Sequence, residues 1–194
     1  YSLHRSAEPN PFVWYRVQEG LGTTGGEFTA ATTIGLNGKL YYLCRAQSKV
    51  CSVYDPVTDQ WTDIASSNYT SDDPRAIVHN EKIYLLNGKY LEIYDPAANT
   101  WQIGPPIPVG LALQHSGFVK LNGKIWAVGG HTYPSYAVYN VGYLYSFDLV
   151  SESWSDEASA LTDETQNLSL YSGCFAQAHQ GRIWLISPNE KNPA

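Results

Sequence analysis

The strongest constraint on this chain is a pattern that recurs: an aromatic residue, an Asp-Pro pair directly after it, and a tryptophan seven positions beyond the aromatic. Tyr54-Asp55-Pro56 leads to Trp61, and Tyr94-Asp95-Pro96 leads to Trp101. Phe147-Asp148 leads to Trp154, with leucine in place of proline, and Trp14 stands where an earlier copy would end. These four tryptophans are separated by 47, 40 and 53 residues. A period of that length, built from short apolar runs broken by turn residues, belongs to propellers and solenoids rather than to a single globular core. Each copy reads as a hairpin. The aspartate carboxylate accepts from backbone amides of the turn, proline presets φ, and the large aromatics suit a pleated surface covered on both sides.

Further strands are marked by turn chemistry. Asn37-Gly38 and Asn122-Gly123 separate alternating apolar runs, a strong hairpin signal, and His79-Asn80-Glu81 and Gln180-Gly181 stand at equivalent places. Residues 1–28 read as a tail plus the last strand of a preceding unit. Repeats fill 29–187, with units at 29–64, 75–103, 115–156 and a partial one at 173–187, and 188–194 form a second tail. Four antiparallel strands per unit without helical periodicity describe the blades of a β-propeller, and the fold class is all-β.

Composition agrees. Only 15 % of the 194 residues are charged, while 15 Tyr and 6 Trp are many, as extensive two-sided burial requires. A net charge of −6 with 12 scattered cations argues against nucleic acid and against an anionic membrane surface. No apolar run approaches the roughly 18 residues of a spanning helix. No signal peptide is visible, and a chain that starts at Tyr1 and contains no methionine reads as a processed or truncated piece.

The residues that carry the hairpins also carry a family likeness. Asn122-Gly123-Lys124-Ile125, the double glycine Gly129-Gly130, and the Phe147 and Trp154 pair resemble the kelch repeat. The resemblance spans about 29–187. It implies a propeller built of kelch repeats and a role in protein interaction or scaffolding. Because kelch propellers are closed rings of six or seven blades, it also implies completion by more blades of the same chain or by another copy. The double glycine is absent at Cys44-Arg45 and reduced to Gly88 in the second unit. Some kelch-like propellers resemble galactose oxidase, whose copper is held by tyrosine and histidine. A secreted copper enzyme or a carbohydrate-binding propeller is therefore the alternative, although no stretch aligns with such a site.

Chemistry-bearing motifs are sparse. The sequence has no Cys-x-x-Cys, His-x-x-x-His or glycine-rich phosphate loop, so no metal, cofactor or catalytic residue is nominated. Cys44 and Cys51 bracket a six-residue connection between strands, and a disulfide between them would place the chain in an oxidising, extracellular setting; two free thiols are the alternative. Cys174 falls in an apolar strand. Asn68-Tyr69-Thr70 and Asn167-Leu168-Ser169 are glycosylation sequons in connections between units. In a four-stranded meander the connections after the second and fourth strands share one face, and nearly all the long loops fall there. The segment after Gly130 is the longest insertion within a blade. His131, Tyr133 and Tyr136 on it are the expected contacts to a partner protein or glycan, because tyrosine is enriched at interface hot spots and long loops on rigid scaffolds carry function. The alternative is that these rings pack on neighbouring loops.

Overall fold

The structure, a computed structural model, describes residues 31–44, 48–70, 73–108, 112–133, 143–157 and 175–186. Strands account for all its regular structure. The first sheet contains β1 (Thr32–Leu36), β2 (Lys39–Leu43), β3 (Cys51–Asp55) and β4 (Gln60–Ile64), in chain order. The second contains β5 (Arg75–His79), β6 (Lys82–Asn87), β7 (Tyr90–Asp95) and β8 (Thr100–Ile103). A short β9 (Ala112–Gln114) precedes the third sheet, which contains β10 (Gly117–Leu121), β11 (Lys124–Val128), β13 (Leu144–Asp148) and β14 (Ser153–Asp156). Between β11 and β13, β12 (His131–Tyr133) turns back to pair with β9. A final hairpin pairs β15 (Phe175–His179) with β16 (Arg182–Ile186).

Local chemistry sets these boundaries. The four hairpins that open the sheets turn on residues with positive φ: Asn37 and Gly38 at 51° and 74°, Asn122 and Gly123 at 51° and 74°, Gln180 and Gly181 at 50° and 71°, and Asn80 and Glu81 at 45° and 60°. Such turns match the twist of the strands they join. The aspartates of the recurring motif do what their position requires. Asp55 Oδ1 accepts from the Val57 amide at 2.9 Å, Asp95 Oδ1 from Ala97 and Ala98 at 3.0 and 3.2 Å, and Asp148 Oδ1 from Val150 and Ser151 at 2.9 Å each. The aromatic and the tryptophan of each copy face each other across the strand pair at Tyr54↔Trp61, Tyr94↔Trp101 and Phe147↔Trp154. Their ring centroids lie 5.2, 4.9 and 5.2 Å apart.

The sheets stack as blades. Their first strands lie side by side, β1 next to β5, β5 next to β10 and β10 next to β15. The last of these approaches is so close that a Cβ on Gly117 would sit 2.6 Å from that of Ala176. The seam between the first two blades buries Leu36, Tyr41, Leu43, Ile83, Leu85 and Tyr94. The seam between the second and third buries Tyr84, Leu91, Ile93, Ile125 and Phe147, continued by Leu86, Ile107, Leu113, Ala127 and Tyr145. A tryptophan fastens each seam. Trp101 Nε1 donates to the Ala65 carbonyl at 2.7 Å, and Trp154 Nε1 to the Pro105 carbonyl at 2.9 Å, each carbonyl lying just past the last strand of the preceding blade.

Candidate functional site

Antiparallel strands reverse direction at every step, so the connections after the second and fourth strands of each blade emerge together on one face, here called the loop face. Among the described residues the opposite, turn face carries the tight hairpins and the Asp-headed turns. On the loop face, backbone bonds tie the two kinds of connection to each other. Ser67 N–H donates to the Lys49 carbonyl at 2.9 Å, and its counterpart 40 residues on, Ile107 N–H, donates to the Lys89 carbonyl at 2.8 Å. In the third blade the tie is the β9–β12 ribbon, pairing His131 with Gln114 and Tyr133 with Ala112. The double glycine makes that ribbon possible. Gly129 and Gly130 have φ of 66° and 88°, and a Cβ on Gly130 would lie 2.5 Å from the Gln114 carbonyl oxygen.

The loop-face end of the first seam is polar where that of the second is apolar. Glu92 on β7 is fully buried, and its carboxylate is held by three donors: the Asn68 backbone amide at 2.6 Å, Asn68 Nδ2 at 2.8 Å and Asn87 Nδ2 at 2.7 Å. A buried carboxylate persists only with such partners. Asn87 also reaches Cys44 Sγ at 3.5 Å, and Ser67 Oγ lies 3.5 Å from the same sulfur. Above this layer Tyr69 and Tyr90 stack with centroids 3.9 Å apart and planes 3° from parallel, and Lys89 Nζ lies 5.6 Å from the Tyr90 ring centre. Nearby, Asp73 pairs with Arg75 at 2.9 Å and accepts from the His115 amide, while Arg75 Nε donates to the Ser116 carbonyl at 3.2 Å.

The structure bears on several of these expectations. The disulfide between Cys44 and Cys51 is not formed; both are buried free thiols. Cys44 lies one residue beyond β2 with φ of 55°, and its amide, rather than its sulfur alone, addresses Cys51 Sγ, at 3.5 Å. Its own sulfur is spent on Ser67 and on Asn87 of the next blade. The Cys51 Sγ–H donates to the Lys49 carbonyl at 3.5 Å; the neighbouring Cys51 side chain pushes the Cys44 pKa down, while the same contact and burial push that of Cys51 up. The argument for an oxidising compartment lapses with the bridge. His131 and Tyr133, expected on an irregular loop, lie on a strand, and their backbones are committed to the ribbon. Asn68 keeps its side-chain nitrogen against Glu92, so a glycan at this sequon would have to be attached to a nitrogen already directed at a buried carboxylate. Tyr136, Asn167, Cys174 and Trp14 lie outside the described residues.

Sequence reasoning missed Tyr69, Tyr90, Lys49 and Lys89. One signal was available, since the two lysines stand 40 residues apart, in register with Tyr54 and Tyr94. Among the described residues no three His, Cys, Asp or Glu side chains converge as metal ligands, and no helix is long and apolar enough to cross a membrane.

Stacked four-stranded meanders, seams between sheets and loops gathered on one face define a β-propeller segment. Comparison with known proteins makes the class specific. No protein-family model matches the chain. It is 31 % identical over 118 residues to Kelch-like protein 30 of Homo sapiens, covering 58 % of this chain and 20 % of that protein. It is 26 % identical over 155 residues to Kelch-like protein 15 of Danio rerio, covering 63 % and 25 %. The solved structure of YjhT superimposes with a TM-score of 0.53 at 16 % identity, over 65 % of this chain and 50 % of that one, a likeness of fold alone. The chain resembles kelch-repeat proteins in sequence and spans a quarter or less of the length of these two curated relatives.

Proposed function

We propose that this kelch segment is a non-enzymatic protein-interaction module whose partner seats on the loop face. The observation that carries the reading is the way that face is built. Its connections are long and are clamped to one another by backbone bonds at Lys49, Lys89 and the β9–β12 ribbon, so a rigid scaffold presents varied side chains. Among the described residues the turn face offers two-residue hairpins and Asp-headed turns, which leave little for a partner to read. His131, Tyr133 and Tyr136 remain the proposed contacts from the third blade. The module works as part of a larger ring, supplied by further blades of its own chain or by a second copy, because the outer faces of its terminal sheets need cover.

The test is a matched pair of measurements on the chain with Tyr133 and Tyr136 both replaced by alanine. Partner affinity is expected to weaken by more than about 1 kcal/mol while the melting temperature stays nearly unchanged. A lower melting temperature with full affinity in the folded fraction would make the insertion a structural plug and move the site elsewhere.

A further inference from the structure

We infer that the β3–β4 side of the first sheet is a docking site for a segment of this same chain, residues 12–18: Trp61 Nε1 donates to the Gln18 carbonyl, and the Asp59 carboxylate accepts the Gln18 amide. Residues 12–18 lie outside the described residues, whereas Trp61 and Asp59 are among them. The inference goes beyond the loop-face reading and does not depend on it.

The two seams set the rule. Trp101 donates to the carbonyl of Ala65, which stands four positions after Trp61, and Trp154 donates to that of Pro105, which stands four positions after Trp101. Each tryptophan of the repeat thus reaches the residue four places beyond its predecessor. The predecessor of Trp61 is Trp14, and four places beyond Trp14 stands Gln18. Trp61 makes ring contacts with Tyr42 and Tyr54, but among the described residues its Nε1 has no acceptor. An indole nitrogen can only donate, so Trp61 is one bond short of its two counterparts.

The turn beside each tryptophan supplies a second, independent mark. Asp59, Asn99 and Glu152 occupy equivalent places, with φ of 54°, 51° and 51°. In the second blade Asn99 Oδ1 accepts both the Tyr94 hydroxyl at 2.8 Å and the Ala65 amide at 2.9 Å, so the residue held by Trp101 is gripped from both ends. In the third blade Phe147 has no hydroxyl and Pro105 has no N–H, and the tryptophan bond stands alone. The first blade is built like the second. The Tyr54 hydroxyl donates to Asp59 Oδ1 at 2.6 Å, and Gln18, unlike Pro105, has an N–H to offer that carboxylate.

The length of chain agrees with this placement. Ten residues, 65–74, join β4 to β5, and thirteen, 104–116, join β8 to β10. A segment ending at Val17 is joined to β1 by the fourteen residues 18–31. Val17 also stands three places after Trp14, as Ile64 does after Trp61, and Ile64 packs into the first seam. A connection this short keeps the segment at high effective concentration beside its own first sheet, an advantage that a second copy of the chain does not have.

Hydrogen exchange on the full chain, read by mass spectrometry, tests the assignment. Residues 12–18 are expected to exchange at least about tenfold more slowly than an unstructured peptide of the same sequence. Trp61→Phe and Asp59→Gly should each cut that protection at least about threefold while β6 and β7 stay as slow as before. Asp59→Asn, which installs the acceptor found at Asn99, should keep it. Asp59→Gly sits in an exposed turn whose positive φ suits glycine, so it keeps the reading should Trp61→Phe disturb the sheet. Exchange of residues 12–18 at the unstructured rate, or protection indifferent to both Trp61→Phe and Asp59→Gly, overturns the inference. Protection that appears only as protein concentration rises would seat the segment on a second copy, and overturns it too.

Discussion

At the scale of single residues, the turn aspartates make the fold sensitive to acid in a way their surroundings specify. Asp55, Asp95 and Asp148 all have pKa values below the ordinary carboxylate range, chiefly because the ionised carboxylate accepts backbone amides of its own turn, with Lys39 and Lys82 adding to the first two. A carboxylate with a depressed folded pKa contributes stability that is present above its unfolded pKa and is lost as pH falls through the folded value. Melting temperature should therefore hold through neutral pH and decline below about pH 4, the ordinary aspartate range. Asp95→Asn should flatten part of that decline, and a decline of equal depth in the triple Asp→Asn variant would remove the turns as its cause. Glu81 makes a second case. It occupies with φ of 60° the place that glycine fills in three of the four opening hairpins, and a glutamate in the left-handed region costs about 1 kcal/mol. Glu81→Gly should raise unfolding stability by about that amount in a denaturant titration. The turn residues were readable in the sequence because each acts on its own neighbours. Glu92 was not: in Tyr90-Leu91-Glu92-Ile93 it looks like the polar step of an alternating strand. Its burial depends on Asn68, which arrives from the connection between the first two blades.

At the scale of elements, the tryptophans of the repeat are seam fasteners rather than blade filler. Ala65 is held at both ends, since its amide donates to Asn99 Oδ1 at 2.9 Å and its carbonyl accepts from Trp101 Nε1 at 2.7 Å. Asn99 also accepts the Tyr94 hydroxyl at 2.8 Å, so one turn of the second blade grips the exit of the first. Trp101→Phe keeps an aromatic ring against Tyr94 but leaves the carbonyl without its donor, and should cost about 1–2 kcal/mol in chemical unfolding. Trp154→Phe removes a more exposed bond to Pro105 and should cost less. Equal losses at both sites would mean that ring packing, not the bond, fastens the seam. The strand order of each blade was legible because period-2 alternation and Asn-Gly turns are local signals. The β9–β12 ribbon was not, since each of its strands has only three residues and the partners lie 17 to 21 positions apart across the whole β10–β11 hairpin. Its one visible trace was Gly129-Gly130, whose positive φ and contact with Gln114 bend the chain back.

At the scale of the molecule, the outer face of the last hairpin is unlike the inner seams between the blades. On the last hairpin Phe175 and Trp184 are 64 % and 53 % exposed, whereas the aromatics inside the seams, Tyr94 and Phe147, are at most 1 % exposed. The first sheet turns Tyr42, Tyr54 and Trp61 towards its own outer side, with Tyr42 and Trp61 edge to face at 6.3 Å. Covering about 400 Å² of apolar surface stabilises by roughly 10 kcal/mol, comparable to the whole net stability of a domain, so leaving such faces wet is costly. This part of the architecture was inferable from repetition alone, because a blade has two faces and buries both only between neighbours. What covers the last hairpin is a property of assembly and leaves no local mark in these residues. The 194-residue chain should associate through its end faces at micromolar concentration in sedimentation velocity, and Phe175→Ser with Trp184→Ser should shift it towards monomer. A version carrying the rest of a ring should remain monomeric and melt higher. A monomeric 194-residue chain that unfolds in one cooperative calorimetric transition, unaffected by the two serines, would show the end faces to be stable in water and remove the requirement for closure.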